Sequence, residues 1–464
     1  MKTKSILSVM ATSCALLPLM ATPSYAMPNF ARQTGMQCGG CHTVVPQLNR
    51  TGYEFRFAGY RLPDEIGKKA KKDDFEFANL FAARIQAQWQ SLRTKKATTT
   101  SQNVSKDELQ LKEVTIYPMT GSWGGNFGSL MELSMASGEG FEIENAFVRG
   151  VYGDANGWLS GRVGVMHPWE GFGASDRPLG NIRPIFQKAN AKAGALGGTP
   201  GSTASPFYLW NLDETAAEIG YYYKPSGTTA TARVGMGTIW KADAKNPGDQ
   251  GDAAQGGSLT KSAIGYPGAH NPKDKSYQVV INQFINNESG ASLYYYTSAT
   301  PYPNPYSYDW QNTAADPTLS VFGKDHFHRF AAYANYYVVP QTVNLSAGAL
   351  YGKDSISVNP ATGTLFYGAT NVTANRGGTS NGYYGEGDWH IIPHTLAVGY
   401  RYDYFNPNRS VAKFTQHAHT LSLSYHPVDY IEVLSDAQAK RAEQGVGKAT
   451  KQDNQLLVNM IVIF

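Results

Sequence analysis

The sequence has few cysteines, few charged residues and no long apolar stretch beyond its first residues. Three cysteines in 464 residues exclude a disulfide scaffold. A mean hydropathy of -0.37 and the lack of further apolar runs of about 20 residues exclude a bundle of membrane-spanning helices. Charged residues make up only 16% and the formal net charge is +4, which gives no case for nucleic acid as a partner. Tyrosine (29), phenylalanine (20) and glycine (48) are abundant instead, and they favour strands joined by turns.

Residues 1–26 have the pattern of a cleaved signal peptide. Lys2 and Lys4 precede an apolar stretch over residues 6–20, and small residues end the segment at Ala26, after which we expect cleavage. An uncleaved anchor helix is the rival interpretation, but two prolines and the shortness of the apolar run argue against it. Cleavage removes two lysines, no acidic residue and Cys14, so the net charge falls by two. The chain is therefore predicted to be exported.

The two remaining cysteines stand in a C-x-x-C-H motif formed by Cys38, Cys41 and His42. In an exported chain this is the pattern for covalent attachment of haem c. Residues three apart can share one side of a helical turn, so both thiols can reach the two vinyl groups at one porphyrin edge. His42 follows directly and is placed to ligate the iron. We therefore predict one covalent haem c at this motif.

Two other chemistries use closely spaced cysteines. A zinc site needs further ligands at a comparable spacing, and the chain has no second cysteine pair. A disulfide or dithiol redox pair of the thioredoxin type needs a βαβ context, which this region lacks. Haem attachment is the interpretation that the sequence favours over both.

Residues 27–72 are predicted to form the haem c segment. This segment is expected to lie at the periplasmic mouth of the β-barrel that residues 73–464 are predicted to form, or to plug the lumen of that barrel. No methionine or histidine follows His42 within the segment, and Met36 is too close to Cys38 to reach the opposite face of a haem. The second axial position of the iron is therefore open, or it is filled by a residue from the rest of the chain.

Residues 73–464 alternate between apolar and polar side chains with the period of β-strands. In the run 157–165, aliphatic residues alternate with polar residues such as Arg162, and the run 394–403 alternates in the same way around Arg401. Including these two, segments of this kind begin near Phe75, Lys112, Phe127, Phe141, Gly157, Phe207, Glu218, Thr229, Ser276, Ala291, His328, Gln341, His394, His417, Tyr430 and Asn454. The count predicts about 16 strands, within a range of 14 to 18.

A soluble β-sandwich also alternates, but three features favour a membrane barrel. Polar residues oppose the aliphatic ones, as in a polar lumen, and tyrosines cluster at strand ends, as in aromatic girdles. Loops at 176–206, 241–275 and 354–381 are longer than a compact soluble domain usually has. The last segment, 456–464, alternates and ends in Phe464, as the final strands of bacterial outer-membrane barrels do. The fold class is thus an all-β, transmembrane antiparallel β-barrel that contacts outer-membrane lipid, with both termini periplasmic and a short haem c segment before it.

Met166 is the candidate for the second axial ligand. Extending the strand that begins at Gly157 places Met166 on the lumen face, although packing near the rim explains it equally well. His426 and His328 are the alternatives, and the strand parity of His328 is open. Lumen carboxylates such as Asp403 offer transient sites for ferrous iron or are plain wall residues.

The N-terminal region resembles a known family. The runs 30–43 (FARQTGMQCGGCHT), 46–49 (PQLN) and 55–60 (FRFAGY) resemble the N-terminus of the fused monohaem cytochrome–porins of the outer membrane, which include the outer-membrane iron oxidases of iron-oxidising bacteria. The barrel matches only in architecture and in the run 167–178. The resemblance implies a haem c segment feeding one porin-like barrel, with electrons passing from an extracellular donor to periplasmic c-type cytochromes or other carriers.

The function expected from these observations is electron transfer across the outer membrane, with Fe(II) as the extracellular donor. The chain would then be an iron:cytochrome c oxidoreductase or simply an electron carrier, a choice that the sequence leaves open. Electron export to an extracellular acceptor is one alternative, because the same conduit can run outward. A haem peroxidase or sensor with an open sixth position is another. A soluble periplasmic β-protein is the third.

Overall fold

The computed structural model describes residues 28–45, 47–69, 75–96, 104–136, 142–166, 178–188, 214–235, 275–302, 323–354, 379–406, 409, 413, 415–443 and 450–464. The predicted signal peptide and most of the three long loops lie outside these residues. No helix among the described residues is long and apolar enough to cross a membrane.

Short elements come first along the chain. The N-terminal segment, residues 28–69, is followed by one short helix before the first long strand. In order, the elements are α1 (Pro28–Thr34), a 3₁₀ turn (Cys38–Gly40), β1 (His42–Val44), β2 (Gln47–Leu48), α2 (Arg50–Phe57), a second 3₁₀ turn (Pro63–Glu65) and α3 (Phe77–Leu80). A further short helix, α4 (Ile185–Lys188), belongs to the connection between two later strands. β1 and β2 pair with each other as a small antiparallel ribbon.

The rest of the described chain forms one closed antiparallel barrel. Its strands are β3 (Ala82–Lys96), β4 (Val104–Tyr117), β5 (Gly121–Ser122), β6 (Phe127–Ala136), β7 (Glu142–Asp154), β8 (Gly157–Met166), β9 (Glu214–Tyr223), β10 (Thr228–Gly235), β11 (Ser276–Phe284), β12 (Gly290–Tyr302), β13 (Gly323–Val339), β14 (Val343–Asp354), β15 (Thr379–Ile392), β16 (Leu396–Asn406), β17 (Gln416–Val428), β18 (Ile431–Ala442) and β19 (Lys451–Ile463). β19 pairs with β3 and closes the ring. β5 has only two residues, and the other sixteen strands confirm the predicted barrel and its strand number.

The two faces of the barrel differ in polarity. On β8, Leu159 and Val163 are exposed on the outside, whereas Arg162 is buried on the lumen side and forms an ion pair with Glu218 of β9 at 2.7 Å. On β16, Tyr400 points outward in the same way. An apolar exterior around a polar interior is the pattern of a barrel that spans the outer membrane, and a soluble β-protein is excluded.

Short turns lie together at one end of the barrel. They connect β7 to β8, β9 to β10, β13 to β14, β15 to β16 and β17 to β18. β3 begins and β19 ends at this same end, where Ala83 and Phe464 exchange two backbone hydrogen bonds of 2.7 and 2.9 Å. In outer-membrane barrels the short turns are periplasmic, so this end faces the periplasm.

Several predicted strand positions were wrong. The first long strand begins at Ala82 and not near Phe75, because Phe77–Leu80 turn into α3. Lys112 lies in the middle of β4, and β15 was not predicted. The predicted segment at Phe207 lies outside the described residues. The run that was expected to start at His394 starts at Leu396, since His394 belongs to the turn before β16.

Candidate functional site

The N-terminal segment enters the lumen from the short-turn end. Phe57 of α2 packs against Trp158 of β8, with ring centroids 6.5 Å apart. The Tyr53 hydroxyl accepts a hydrogen bond of 2.9 Å from Asn282 Nδ2 on β11. Burial raises the pKa of Tyr53 to about 12. The backbone N–H of Arg50 donates to the carbonyl of Asn287 in the β11–β12 turn at 2.7 Å.

A second set of contacts fixes the end of the segment. Arg61 donates to the carbonyl oxygens of Gly125 and Phe127 beside β6. A Cβ atom on Gly128 would lie 2.2 Å from the carbonyl oxygen of Gly59, so the two backbones touch and only glycine fits there. These contacts hold the segment against the wall that runs from β6 to β12.

The C-x-x-C-H motif forms one tight turn. Its first three residues are the 3₁₀ turn Cys38–Gly40, and the N–H of Cys41 donates to the carbonyl of Cys38 at 3.0 Å. Both cysteines are partly exposed thiols and are not joined in a disulfide. Burial raises the pKa of the Cys41 thiol. Two thiols and an imidazole on one turn are the donor set that covalent haem attachment requires.

Asn49 fixes this turn to α2. Its backbone N–H donates to the carbonyl of Cys41 at 2.9 Å, and its side-chain Nδ2 donates to the carbonyl of Gly40 at 3.1 Å. Its Oδ1 accepts from the N–H of Gly52 at 2.9 Å and so caps α2. One residue therefore couples the motif to a helix that is packed in the lumen.

The two glycines of the motif are closely covered. A Cβ atom on Gly40 would lie 2.7 Å from Cε of Met36, so Met36 packs on the motif itself. A Cβ atom on Gly39 would lie 3.2 Å from each of Cγ, Cδ2 and Cε1 of His394. The imidazole of the β15–β16 turn therefore lies against the motif.

The residues after His42 contact the part of the barrel wall next to His394. The Thr43 side chain lies beside the Tyr337 hydroxyl, which lies 3.4 Å from Nε2 of His390. Val44 lies in one buried cluster with Ala397 of β16 and Leu179. The motif is thus attached to the part of the barrel formed by β13 to β16.

Leu179 belongs to an inserted segment, residues 178–188, which comes from the long β8–β9 connection and folds into the lumen. Its backbone N–H groups donate to lumen carboxylates: Leu179 to Glu386 at 2.7 Å, and Asn181 and Ile182 to Asp436 at 2.7 and 2.9 Å. The sequence showed only a polar loop here.

Asp403 faces the lumen as predicted, but it is already engaged. Its carboxylate accepts from Arg401 Nε at 3.0 Å and from the N–H of Ile185 at 3.4 Å. Arg401 also donates to the carbonyl of Ile182 at 2.7 Å. These groups hold the inserted segment, and the interpretation of Asp403 as an iron site has no support from this geometry. Among the described residues, no cluster of three histidine, cysteine or acidic side chains is arranged to hold a metal ion.

The candidate axial ligands lie in different places. Met166 is fully buried, in a cluster with Phe55 of α2 and Phe147 of β7. Its strand, β8, is seven strands from β15 in the barrel order. His328 stacks on Tyr295 beside the exposed Phe330, so it faces outward and its open parity is settled.

His426 is buried on the lumen side, and its Nε2 lies 3.4 Å from Glu432 Oε1. The structure brings Cys38, Cys41 and His42 together and does not place Met166 beside them. Met166 as a ligand stays a prediction. Asn49 and His394 were missed, although an asparagine before a helix is a recognisable capping signal.

Among known proteins, the chain is similar to solved structures of outer-membrane porins and channels. No protein-family profile and no curated protein sequence matches it. An anion-selective porin from Comamonas acidovorans is 12% identical, with a TM-score of 0.49. The match covers 83% of this chain and 99% of that one. The outer membrane channel DcaP of Acinetobacter baumannii is 11% identical, with a TM-score of 0.47 and coverage of 83% and 96%. OprB of Pseudomonas putida is 11% identical, with a TM-score of 0.46 and coverage of 83% and 94%.

Proposed function

We propose that this outer-membrane barrel transfers electrons through one c-type haem, attached covalently to Cys38 and Cys41 and ligated by His42. The electrons would come from an extracellular donor, Fe(II), and leave to a periplasmic c-type cytochrome or another carrier. One observation carries the proposal: a turn with two thiols and an imidazole is fixed inside the periplasmic end of a membrane barrel. A site in this position lies between the two compartments that such a reaction must connect.

The chain's own residues prepare this site in three ways. Asn49 bonds the carbonyls of Gly40 and Cys41 and so holds both thiols on one turn. Thr43 and Val44, which follow His42, lie beside Tyr337 and in a buried cluster with Ala397, and so help to orient the imidazole. When bound, a haem would supply one iron that cycles between two oxidation states, with a potential set by ligands, hydrogen bonds and burial.

The barrel contributes the route to the site. The apolar band of such barrels is about 25 Å tall. A donor outside the cell is therefore too far from a periplasmic carrier to transfer electrons to it directly. The inserted segment starts from the long-loop side of β8, and Leu179 within it shares a buried cluster with Val44, two residues after His42. Packed protein therefore joins the inserted segment to the motif, and electrons from a donor outside would pass along it. Oxidation outside the cell also keeps poorly soluble ferric iron out of the periplasm.

The experiment uses the full protein in proteoliposomes that enclose an oxidised soluble c-type cytochrome. Fe(II) added outside should reduce the internal cytochrome in wild-type vesicles, and a Cys38→Ala/Cys41→Ala variant should abolish the reduction. Stopped-flow mixing of the purified protein with Fe(II) gives the direct step, read from the haem spectrum. A haem-bearing protein that Fe(II) does not reduce would contradict the choice of donor, and a low midpoint potential would favour electron export instead.

A further inference from the structure

His394 is held against the C-x-x-C-H turn. Its ring presents Cγ, Cδ2 and Cε1 at the same distance, 3.2 Å, to the position where Gly39 would carry a Cβ atom. Equal distances to three ring atoms mean that the face of the imidazole lies over Gly39, the residue directly after Cys38. A larger residue at position 39 would push this ring away.

The backbone at His394 is in an uncommon conformation. His394 has a φ of +61°, in the left-handed region that residues with a side chain rarely adopt. It lies in the turn between β15 and β16, where glycine or asparagine would fit with less strain. Strained residues of this kind concentrate at functional sites, where other contacts hold them.

The surrounding contacts keep the motif and this turn together. Thr43 lies beside Tyr337, and Val44 shares a buried cluster with Ala397, the second residue of the strand that follows His394. The His394 side chain is exposed, so its ring is able to turn about its own side-chain bonds.

The other described histidines with known surroundings are less well placed. His417 and His419 bond Tyr402 and Tyr400 at 2.7 and 2.6 Å on the outer face, as His328 bonds Tyr295. Both ring nitrogens of His426 lie near lumen side chains, and Nε2 of His390 faces the Tyr337 hydroxyl.

From these contacts we propose that His394 is the second axial ligand of the haem held by Cys38, Cys41 and His42. The proposal rests on the proposed function, because it requires that haem. The second ligand would then be an imidazole from a periplasmic turn and not the sulfur of Met166, which the sequence predicted. Two imidazoles would give a six-coordinate, low-spin iron with no open position for small ligands.

The test compares full-length wild type with His394→Asn and His394→Gly, since both residues tolerate the left-handed conformation of this turn. The readouts are covalent haem content, the spin state by electron paramagnetic resonance, and carbon monoxide binding to the reduced protein. We expect unchanged haem content, a low-spin wild type that does not bind carbon monoxide rapidly, and high-spin variants that do. Added imidazole should restore the low-spin spectrum of His394→Gly.

Met166→Leu is the matched control, because it removes the other candidate sulfur while it keeps the buried volume. It should leave the spin state unchanged. The proposal is overturned if the His394 variants stay low-spin, if Met166→Leu becomes high-spin in their place, or if the wild type binds carbon monoxide rapidly. A wild type without covalent haem would remove the proposed function together with the ligand, whereas the other results remove only the ligand.

Discussion

Asn49 allows the coupling between the motif and α2 to be measured. Asn49→Ala removes the side-chain bond to the carbonyl of Gly40 and the cap on Gly52 N–H. A lost cap costs about 1 kcal/mol, and a lost neutral hydrogen bond costs about 0.5–1.5 kcal/mol. Together they weaken the local structure by about 1–3 kcal/mol. Since about 1.4 kcal/mol is a factor of ten, amides of the turn should exchange with solvent roughly 5 to 140 times faster.

Asn49→Ser separates the two contributions. Serine keeps the capping oxygen but does not reach Gly40 as a donor, so exchange should rise only roughly 2- to 12-fold. Hydrogen exchange followed by mass spectrometry, on the peptide that spans residues 36–57 of the detergent-solubilised protein, measures both variants. Asp154→Ala is the control, because Asp154 caps the β7–β8 turn at the same barrel end by accepting from Asn156 N at 2.7 Å. Equal exchange in Asn49→Ala and wild type would refute the coupling.

Three further variants test the packing of the segment, the lipid face and the filling of the lumen. Gly52→Ala places a Cβ atom 2.2 Å from the carbonyl oxygen of Cys41, so hydrogen exchange should show the segment destabilised by about 1–3 kcal/mol. Gly385→Ala is the control: its Cβ atom meets no atom within 4 Å, so its exchange should match wild type. Val163→Arg puts a charge on the exposed outer face. It should lower the free energy of unfolding of the lipid-bound protein, measured by urea titration, by about 2–4 kcal/mol, the cost of an arginine at the bilayer midplane. An unchanged urea midpoint would argue against lipid contact. Asp436→Leu leaves two N–H groups of the inserted segment without their acceptor, at a cost of about 1–3 kcal/mol each. The segment should then leave its place in the lumen more often, so the single-channel conductance in planar bilayers should rise. Equal conductance in variant and wild type would count against the segment as an obstruction.

The barrel could be predicted from the sequence where side chains carry the alternation clearly. β16 alternates apolar outward residues with Arg401 and Asp403, and its two faces were assigned correctly. β15 was missed because its outward face includes Gly385 and Gly387, which weaken the apolar signal and resemble a turn. The predicted number of about 16 strands nevertheless agrees with the sixteen long strands of the barrel.

The site could be predicted only where it is local in sequence. Cys38, Cys41 and His42 are neighbours in the chain, and their turn follows from their spacing. The contact between Gly39 and His394 joins residues more than 350 positions apart, and it depends on how the N-terminal segment sits in the closed barrel. Alternation gives the face of a strand but not the depth or the side of the lumen, which is why Met166 was placed correctly toward the interior but without its neighbours.

The intact mass of the protein purified from outer membranes tests most directly the proposal that the C-x-x-C-H turn of this barrel carries one haem. We predict a chain that is heavier by one haem after denaturation, with Cys38 and Cys41 both unreactive toward alkylating reagents, and a Cys38→Ala/Cys41→Ala variant without this added mass. A wild-type chain of unmodified mass, with both thiols alkylated, would contradict it.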